Sequence, residues 1–347
     1  MTEETHSDSS WPNIDEVLAR AHVVALPMRV PFRGVTTREA LLIEGTAGWG
    51  EFSPFVEYGP EESAAWLRCG MEMAFDGPPA FLRDVVEVNA TIPAVPAGQV
   101  AEVLARYPGV RTVKVKVAEK GQTLADDVAR VAAVRDILPN AVIRVDANRG
   151  WSVEEALAAA RQLAPVDYLE QPCASVDELA QLRQFLVRNG LFVRVAADES
   201  IRRAQDPYEV ARRHAADVAV VKAAPLGGPR AVLTIAEFMR ARGLDITVAS
   251  ALDTGVGMNA GLAAVAALPK HADDDDFDVP PAAAGLATQS LFVEDVTATR
   301  ELVDGQVKVE MLAPEPERLE GLTAPGPRRD WWLNRVRECW PFLEGRA

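Results

Sequence analysis

Lysines and carboxylates stand at the ends of successive apolar runs in the middle of the chain. From Lys116 the next three such positions are acidic and the fourth is again a lysine, with gaps of 30, 24, 28 and 24 residues. Carboxylate oxygens are preferred ligands of hard divalent cations, and three carboxylates that converge without a cation would repel one another. The pattern therefore predicts a metal site flanked by lysines. Its residues are Lys114, Lys116, Asp146, Glu170, Asp198 and Lys222.

Each of these residues also has an ordinary structural interpretation. Asp146 in "VDANRG" could cap the following helix, and Glu170 in "LEQP" could be a surface carboxylate. Lys222 could extend its ammonium to solvent. In "ADES" either Asp198 or Glu199 could be merely solvated. Each alternative is reasonable alone, but the shared repeat favours one common site.

The stretch "RTVKVKVAEKG" (111–121) indicates which way that site faces. Three valines alternate with Lys114 and Lys116, so a strand would place the valines on one face and both lysines on the other. An edge strand facing water and a closed barrel with a charged interior would both explain the pattern.

The elements that must position these residues are short apolar runs separated by stretches with helical periodicity. Strands that alternate with helices of about 10–15 residues predict βαβ units and a parallel sheet. The near-constant repeat predicts an α/β fold with a TIM-like barrel, whose chemistry lies at the carboxyl ends of the strands. A doubly wound open sheet is the alternative, but the chain lacks a Gly-rich phosphate loop. The runs are 85–92, 113–117, 141–148, 166–172, 191–200, 217–225 and 244–250, with an eighth strand expected in 282–288.

The flanking segments have different patterns. Residues 21–55 predict an antiparallel meander, and residues 59–77 predict a helix. After the barrel, residues 299–310 predict a hairpin that turns at Asp304-Gly305. Residues 328–343 predict a helix with aromatics that could pack on the N-terminal unit, and the acidic run 273–276 is interpreted as a solvated loop.

Composition excludes several classes of partner. The chain has 36 basic and 51 acidic residues, a formal charge of −15, which argues against binding nucleic acid or an anionic membrane. Its apolar runs are shorter than the about 18 residues of a membrane span. Three scattered cysteines and a polar N-terminus predict a reduced, cytoplasmic protein.

The repeated residues resemble the enolase superfamily in its muconate-lactonizing branch. That branch carries Lys-x-Lys on the second barrel strand, Asp, Glu and Asp after the next three strands, and Lys after the sixth. Here "KVK" (114–116), Asp146, Glu170, Asp198 and Lys222 match this pattern. The resemblance implies Mg²⁺ on the three carboxylates, with Mn²⁺ able to substitute.

The resemblance also implies a domain organisation. An N-terminal α+β capping domain (1–84) would precede a (β/α)₇β barrel (85–298), and a C-terminal segment (299–347) would pack back on the cap and complete it.

The resemblance assigns roles to side chains as well. Lys116 and Lys222 would be catalytic, one on each side of a substrate carboxylate whose α-proton is removed to give an ene-diolate. Both lysines of "KVK" would face the barrel interior, with Lys116 nearer the metal. Lys114, Arg144 and Glu199 would support the metal ligands or the substrate.

Finer details resemble the o-succinylbenzoate synthases of this branch. The likeness is carried by "PFRGVTTREALLIEG", "GWGEFSPF", "ASALDTGVGMNAGLAAVAALP" and "GLATQSLFVEDV". It implies dehydration of 2-succinyl-6-hydroxy-2,4-cyclohexadiene-1-carboxylate to o-succinylbenzoate in menaquinone biosynthesis. Substrate contacts would come from Ser250, Leu252 and Thr254, and from Arg33 in a cap loop that also carries Arg38.

Other functions remain open at this stage. An N-acylamino acid racemase, or another racemase or cycloisomerase of the superfamily, would use Lys116 and Lys222 as two bases. A dipeptide epimerase is disfavoured because "GLATQS" lacks the Asp-x-Asp of that family. A catalytically silent barrel used as a scaffold would not need five intact chemical positions.

Overall fold

The computed structural model describes residues 11–32, 35–203, 206–272 and 278–344. The strands are β1 Ala21–Phe32, β2 Val35–Glu44, β3 Trp49–Phe52, β4 Val85–Glu87, β5 Ala90–Ile92, β6 Thr112–Lys116, β7 Val142–Asp146, β8 Tyr168–Glu170, β9 Arg194–Ala197, β10 Val218–Val221, β11 Asp245–Val248, β12 His271–Ala272, β13 Asp278–Val279, β14 Leu302–Val303 and β15 Gln306–Lys308. The α-helices are α1 Ile14–Ala19, α2 Pro60–Met71, α3 Val100–Leu104, α4 Leu124–Ile137, α5 Val153–Leu163, α6 Val176–Arg188, α7 Asp206–Arg212, α8 Ala223–Leu226, α9 Pro229–Arg240, α10 Met258–Ala267, α11 Pro316–Gly321, α12 Gly326–Cys339 and α13 Pro341–Glu344.

A parallel sheet of seven strands forms the centre of the fold. Its order, β5-β6-β7-β8-β9-β10-β11, follows the chain without a reversal, which rules out the doubly wound alternative. Parallel bridges join Ala284 to Val88 on one side and Gly285 to Ala249 on the other. The predicted eighth element therefore links the two edges of the sheet, and the TIM-like barrel is confirmed.

The two faces of the barrel strands differ as the alternation in β6 predicted. Val113, Val115 and Val117 are buried in the large core between the sheet and the outer helices. A separate apolar cluster of Tyr168, Ala196, Val218, Val220 and Ala249 contains the opposite-facing residues of β8–β10. Lys114 and Lys116 lie on the face away from the valines, so the closed-barrel interpretation of the two lysines is correct.

Capping boxes fix where the outer helices after β6, β7 and β8 begin. At the start of α5, the Ser152 hydroxyl accepts a hydrogen bond from the backbone N–H of Glu155, and the Glu155 carboxylate accepts one from Ser152. Thr123 with Asp126 and Ser175 with Glu178 do the same for α4 and α6. Each box satisfies backbone donors that the first helical turn leaves unpaired, and so each helix start is encoded locally.

The cap combines both ends of the chain. Strands β1–β3 form an antiparallel sheet, and α12 presents Trp332, whose ring centroid lies 5.8 Å from that of Phe52 in β3. Arg328 and Trp332 of α12 both donate hydrogen bonds to Glu39 in β2. The C-terminal helix α12 therefore packs against the N-terminal sheet.

The expected cap loop "PFRGVTTRE" is mostly strand. β1 and β2 continue to residues 32 and 35, so Arg38 is not in a loop but in β2, where only 3% of its surface is exposed. The interpretation of Arg38 as a loop residue was wrong, because β1 and β2 pair as far as Phe32 and Val35, further than the Gly and Arg content of this stretch suggested. Arg33 and the acidic run 273–276 lie outside the described residues.

The run 85–92, predicted as one strand, is divided between two sheets. β4 pairs with β15 of the predicted hairpin, whose turn residues Asp304 and Gly305 have φ of 48° and 74°. After β4 the backbone changes partner, and the N–H of Asn89 donates to the carbonyl of Ala284 in the barrel. The domain boundaries after residues 84 and 298 stay predictions.

None of the helices in the described part of the chain is long and apolar enough to span a membrane.

Candidate active site

Strand register brings the predicted residues to one end of the barrel. Lys116 is the Cα partner of Asp146, and Asp146 is the Cα partner of Glu170, so these three stand side by side across β6, β7 and β8. Asp198 follows β9 directly, and Lys222 follows β10. The carboxyl ends of five consecutive strands therefore carry the whole set, as the spacing predicted.

Ion pairs connect the lysines to the carboxylates. Lys114 Nζ lies 2.8 Å from Glu170 Oε1 and 3.5 Å from Asp146 Oδ2, whereas Lys116 Nζ lies 3.7 Å from Asp146 Oδ2. Lys222 pairs with Asp198. That Lys116 lies nearer the metal stays a prediction; of the carboxylates, Lys114 contacts Glu170 and Asp146, and Lys116 contacts Asp146. Although Lys114 stands two residues further from the strand end, its long side chain reaches the ligands.

Burial and mutual charge perturb the site strongly. Burial, together with the charges of Asp146 and Asp198, raises the pKa of Glu170 to about 7 although Lys114 opposes the shift. Burial by itself would lower the pKa of Lys114, but Glu170 and Asp146 outweigh it and raise that pKa well above its ordinary value. Burial acts to raise the pKa of Asp198, yet Lys222 and Arg202 hold it below its usual range. This much buried negative charge favours the binding of a cation.

The donor set fits a hard divalent ion. Among the residues that the structure describes, no three acidic, histidine or cysteine side chains are already oriented around one metal position; each ligand carboxylate instead contacts a lysine. One oxygen, Glu170 Oε2, is buried and has no hydrogen-bond partner in the described structure. Three carboxylates on neighbouring strands, one with an unused buried oxygen, are the oxygen ligands that Mg²⁺ takes.

Glu199 lies beside the ligands, as expected for a supporting residue. Its Oε1 accepts hydrogen bonds from Asn148 Nδ2 at 3.0 Å and from Arg202 at 2.8 Å. The backbone N–H of Asn148 also donates to Asp146. Asn148 and Arg202 thus belong to the same network, although the spacing of the carboxylates gave no sign of either residue.

Arg144 lies on the interior face but below the ligands. Its guanidinium donates to Asp167 at 3.0 Å and to the carbonyl of Ala283 at 2.6 Å, and it stacks 5.0 Å from the centre of the Tyr168 ring. These partners lie towards the amino ends of the strands. We infer that Arg144 supports the floor of the site.

Gln171, which sequence reasoning missed, holds the strand ends together. It is fully buried, and its Oε1 accepts hydrogen bonds from the backbone N–H groups of Asp198 and Ser200. Its Nε2 donates to the carbonyl of Cys173 and the hydroxyl of Ser200. One amide side chain therefore fixes the backbone that carries Asp198 relative to the strand that carries Glu170.

We expect Gln171→Ala to weaken Mg²⁺ binding by about 10–100-fold, the usual effect of removing a group that orients a ligand. Calorimetric titration of the metal would measure the change. Gln289→Ala is the matched control, because Gln289 is also buried but bonds Asp295 and Thr297. Equal metal affinities of the Gln171 variant and the wild type would contradict a positioning role.

The three residues after β11 that were predicted to contact the substrate differ in their burial and in their partners. Ser250 is partly exposed, and its hydroxyl lies 3.1 Å from that of Thr288. Leu252 is buried with a left-handed φ of 66°, and Thr254 is fully buried with its hydroxyl donated to Glu51 of the cap. Of the three, Ser250 alone is not buried, and its hydroxyl donates a hydrogen bond to Asp253, whereas Thr254 is engaged with the cap.

Comparisons with known proteins agree with this geometry. The family models "Enolase C-terminal domain-like" and "Enolase N-terminal domain-like" match residues 97–314 and 23–74. The chain is 55% identical over 333 residues to an o-succinylbenzoate synthase of Mycolicibacterium smegmatis, covering 94% of this chain and 97% of that protein. It is 53% identical over 337 residues to one of Mycobacterium tuberculosis, covering 96% and 97%.

Solved structures share the fold at lower identity. The muconate lactonizing enzyme of Pseudomonas fluorescens, complexed with muconolactone, superimposes with a TM-score of 0.71 at 23% identity, covering 88% of this chain and 98% of that one. The muconate lactonizing enzyme of Pseudomonas putida gives a TM-score of 0.70 at 21% identity over the same shares. These two likenesses establish the fold.

Proposed function

This chain belongs to the enolase superfamily, and we propose that it is an o-succinylbenzoate synthase. The observation that carries the proposal is its identity of more than half, over nearly full length, with the mycobacterial synthases. The reaction removes water from 2-succinyl-6-hydroxy-2,4-cyclohexadiene-1-carboxylate and forms the aromatic ring of o-succinylbenzoate, a step of menaquinone biosynthesis. The enzyme is a Mg²⁺-dependent hydro-lyase.

The metal and its ligands set the electrostatics. Asp146, Glu170 and Asp198 would hold the ion, which when bound supplies positive charge against the substrate carboxylate as that group gains electron density. Lys114, paired with Glu170 and Asp146, would keep two of the ligands in place. We propose that Mn²⁺ can replace Mg²⁺, because it takes the same oxygen ligands.

The two remaining lysines divide the proton transfers. Lys116 takes the proton from the carbon next to the carboxylate, and the electron pair of that C–H bond moves into the ene-diolate. As the C–O bond to the hydroxyl breaks, the Lys116 ammonium returns the proton, and water leaves from the same face. Lys222 stays protonated and stabilises the ene-diolate from the other side. The product ring is aromatic, which drives the reaction forward.

A racemase is the second candidate, and one observation favours it. Lys116 and Lys222 are separated in the sheet by β7, β8 and β9, so they approach the barrel mouth from different sides. Racemisation needs a base on each face of the α-carbon, and these two amines would supply them. N-acylamino acids are the substrates to test.

¹H NMR of the enzyme with the cyclohexadiene acid and Mg²⁺ tests the proposal directly. We expect loss of the diene signals and growth of the aromatic signals of o-succinylbenzoate, at a rate proportional to enzyme concentration. A panel of N-acylamino acids in D₂O provides the racemase arm. If the enzyme exchanges the α-protons of N-acylamino acids for deuterium but does not dehydrate the cyclohexadiene acid, the racemase becomes the first candidate.

The remaining partners follow from the same proposal. The substrate is a small carboxylate, and the negative net charge leaves nucleic acid and anionic membrane as unsuitable partners. We propose a cytoplasmic location, consistent with three buried cysteines that form no disulfide.

A further inference from the structure

Two buried charged residues of the cap contact the barrel segment that follows β11. Arg38 and Glu51 lie on the neighbouring strands β2 and β3, with 3% and 6% of their surfaces exposed. Ser53 connects them, because its hydroxyl accepts a hydrogen bond from Arg38 and donates one to Glu51. Both residues also form hydrogen bonds across the interface between cap and barrel, with backbone groups of residues 252–257. We call Ser250–Thr254 the β11 segment.

The β11 segment has a backbone conformation that needs support. Leu252 has a φ of 66°, which non-glycine residues adopt at a cost. Arg38 Nε donates to the carbonyl of Leu252 at 3.0 Å. On the other side of the turn, the Ser250 hydroxyl accepts from the N–H of Leu252, and Asp253 accepts from the N–H of Ala251. The cap therefore helps to hold a strained turn.

Glu51 holds the far end of the same turn. Its Oε2 accepts hydrogen bonds from the N–H and the hydroxyl of Thr254 and from the N–H of Gly257. The carboxylate packs so closely on Gly257 that a Cβ there would lie 2.4 Å from its carboxyl carbon. One cap side chain thus joins the end of the β11 segment to the start of α10.

The β11 segment borders the active site. It begins two residues after β11, at the carboxyl end of the barrel, and Ser250 contacts Thr288 there. Burial raises the pKa of Asp253, while Arg38 of the cap and Lys222 of the active site both pull that pKa down. Asp253 therefore lies within electrostatic reach of the cap and of a catalytic lysine.

We propose that Glu51 is a positioning residue of the cap, which fixes the β11 segment in the conformation that receives the non-reacting part of the substrate. The proposal rests on the proposed function. Glu51 acts through Thr254 and Gly257 and touches no reacting atom. The docking of the cap is thereby coupled to substrate affinity.

The consequence is a change in KM with little change in kcat. Residues 284–285 and β5 separate the β11 segment from the strand of Lys116. Contacts with a part of the substrate that does not react are made equally in the ground state and the transition state. Loss of a contact that binds the ground state and the transition state equally raises KM and does not change kcat. A general loss of structure would reduce the active fraction and lower the apparent kcat instead.

Steady-state kinetics of the Mg²⁺-loaded enzyme with the cyclohexadiene acid test this. We expect Glu51→Ala to raise KM by about 10-fold or more, because it removes the acceptor of three hydrogen bonds, with kcat within about 3-fold of wild type. Glu51→Gln should restore most of the affinity, since its amide oxygen can accept the same three bonds while its NH₂ faces Ser53.

Glu72→Ala is the matched control. Glu72 is also a buried cap carboxylate, 6% exposed, and it accepts hydrogen bonds from the backbone and side chain of Arg230 in barrel helix α9. Its loss weakens the interface between cap and barrel at α9 and removes no hydrogen bond to the β11 segment, so KM should stay near the wild-type value. Glu51→Asp, one methylene shorter, provides a second variant that keeps the charge if Glu51→Ala does not fold.

Two outcomes would overturn the inference while leaving the proposed function intact. One is a wild-type KM in a folded Glu51→Ala or Glu51→Asp enzyme that still dehydrates the acid. The other is an equal rise of KM in Glu72→Ala, which would make the effect one of general cap docking. Failure of the wild-type enzyme to convert the acid would overturn the proposed function, and this inference with it.

Discussion

Lys116→Ala should reduce kcat for dehydration by about 10²–10⁴-fold, the range that a positioned general base contributes. Lys116 is expected to make both proton transfers, so its loss removes the group that breaks the C–H bond and the group that assists the leaving hydroxyl. The ligand cluster should survive the change, because Lys116 lies 3.7 Å from Asp146 whereas Lys114 contacts both Asp146 and Glu170. Circular dichroism and metal titration would verify this, and NMR would measure turnover.

Variants of Lys222 provide the comparison. Lys222→Arg keeps a positive charge beside Asp198 and should retain some dehydration, whereas Lys222→Ala removes the charge and should not. With N-acylamino acids, either alanine variant should stop racemisation, because the two enantiomers present their α-protons on different faces. In D₂O, Lys116→Ala should still exchange the α-proton of one enantiomer through Lys222. Substantial dehydration by Lys116→Ala would instead assign the base to Lys114 or Lys222.

Removal of the metal should abolish activity altogether. Exhaustive treatment with EDTA is expected to stop turnover, and added Mg²⁺ or Mn²⁺ should restore it. Glu170→Gln should lose metal binding and turnover together, because an amide lacks the negative charge of the carboxylate ligand. The second carboxylate oxygen of Glu170, Oε2, has no hydrogen-bond partner in the described structure and is available to the metal. Calorimetry and NMR turnover would measure the two losses on one preparation.

The control separates ligand loss from a general effect of removing a buried charge. Glu72→Gln changes a buried carboxylate that bonds Arg230. It should keep Mg²⁺ affinity and turnover close to those of the wild type. Full activity of the wild-type enzyme after complete chelation would refute the metal-dependent mechanism, whatever the behaviour of Glu170→Gln.

The sequence allowed a site residue to be predicted where one such residue stands at the end of each βα repeat. Lys116, Asp146 and Glu170 could be found because a parallel barrel places each strand end at one rim, so regular spacing alone predicts proximity. The alternation of valines and lysines in β6 could likewise be interpreted without a structure, since side chains in a strand alternate strictly.

Residues that act across distant parts of the chain could not be found in this way. Glu51 and Thr254 are 203 residues apart, and their contact depends on how the cap sits on the barrel. Arg38 was assigned to a loop because local composition does not show that β2 begins as early as Val35. Gln171 follows Glu170 directly, yet its role depends on the path of the backbone after β9. Each of these positions is set by tertiary packing, which the spacing of residues and their secondary-structure propensity do not report.

The dependence of the cap on both chain ends has a consequence for biosynthesis. Strands β1–β3 are made well before α12, because Trp332, which packs on Phe52, lies 280 residues further along the chain. Until α12 has been made, the apolar face of the N-terminal sheet therefore lacks its covering helix, and exposed sheet surface of this kind is prone to aggregate. Contacts with such long sequence separation also slow folding. The nascent chain would thus need protection at this sheet until α12 has been made, and a stop codon only a few residues before α12 would leave the sheet permanently uncovered.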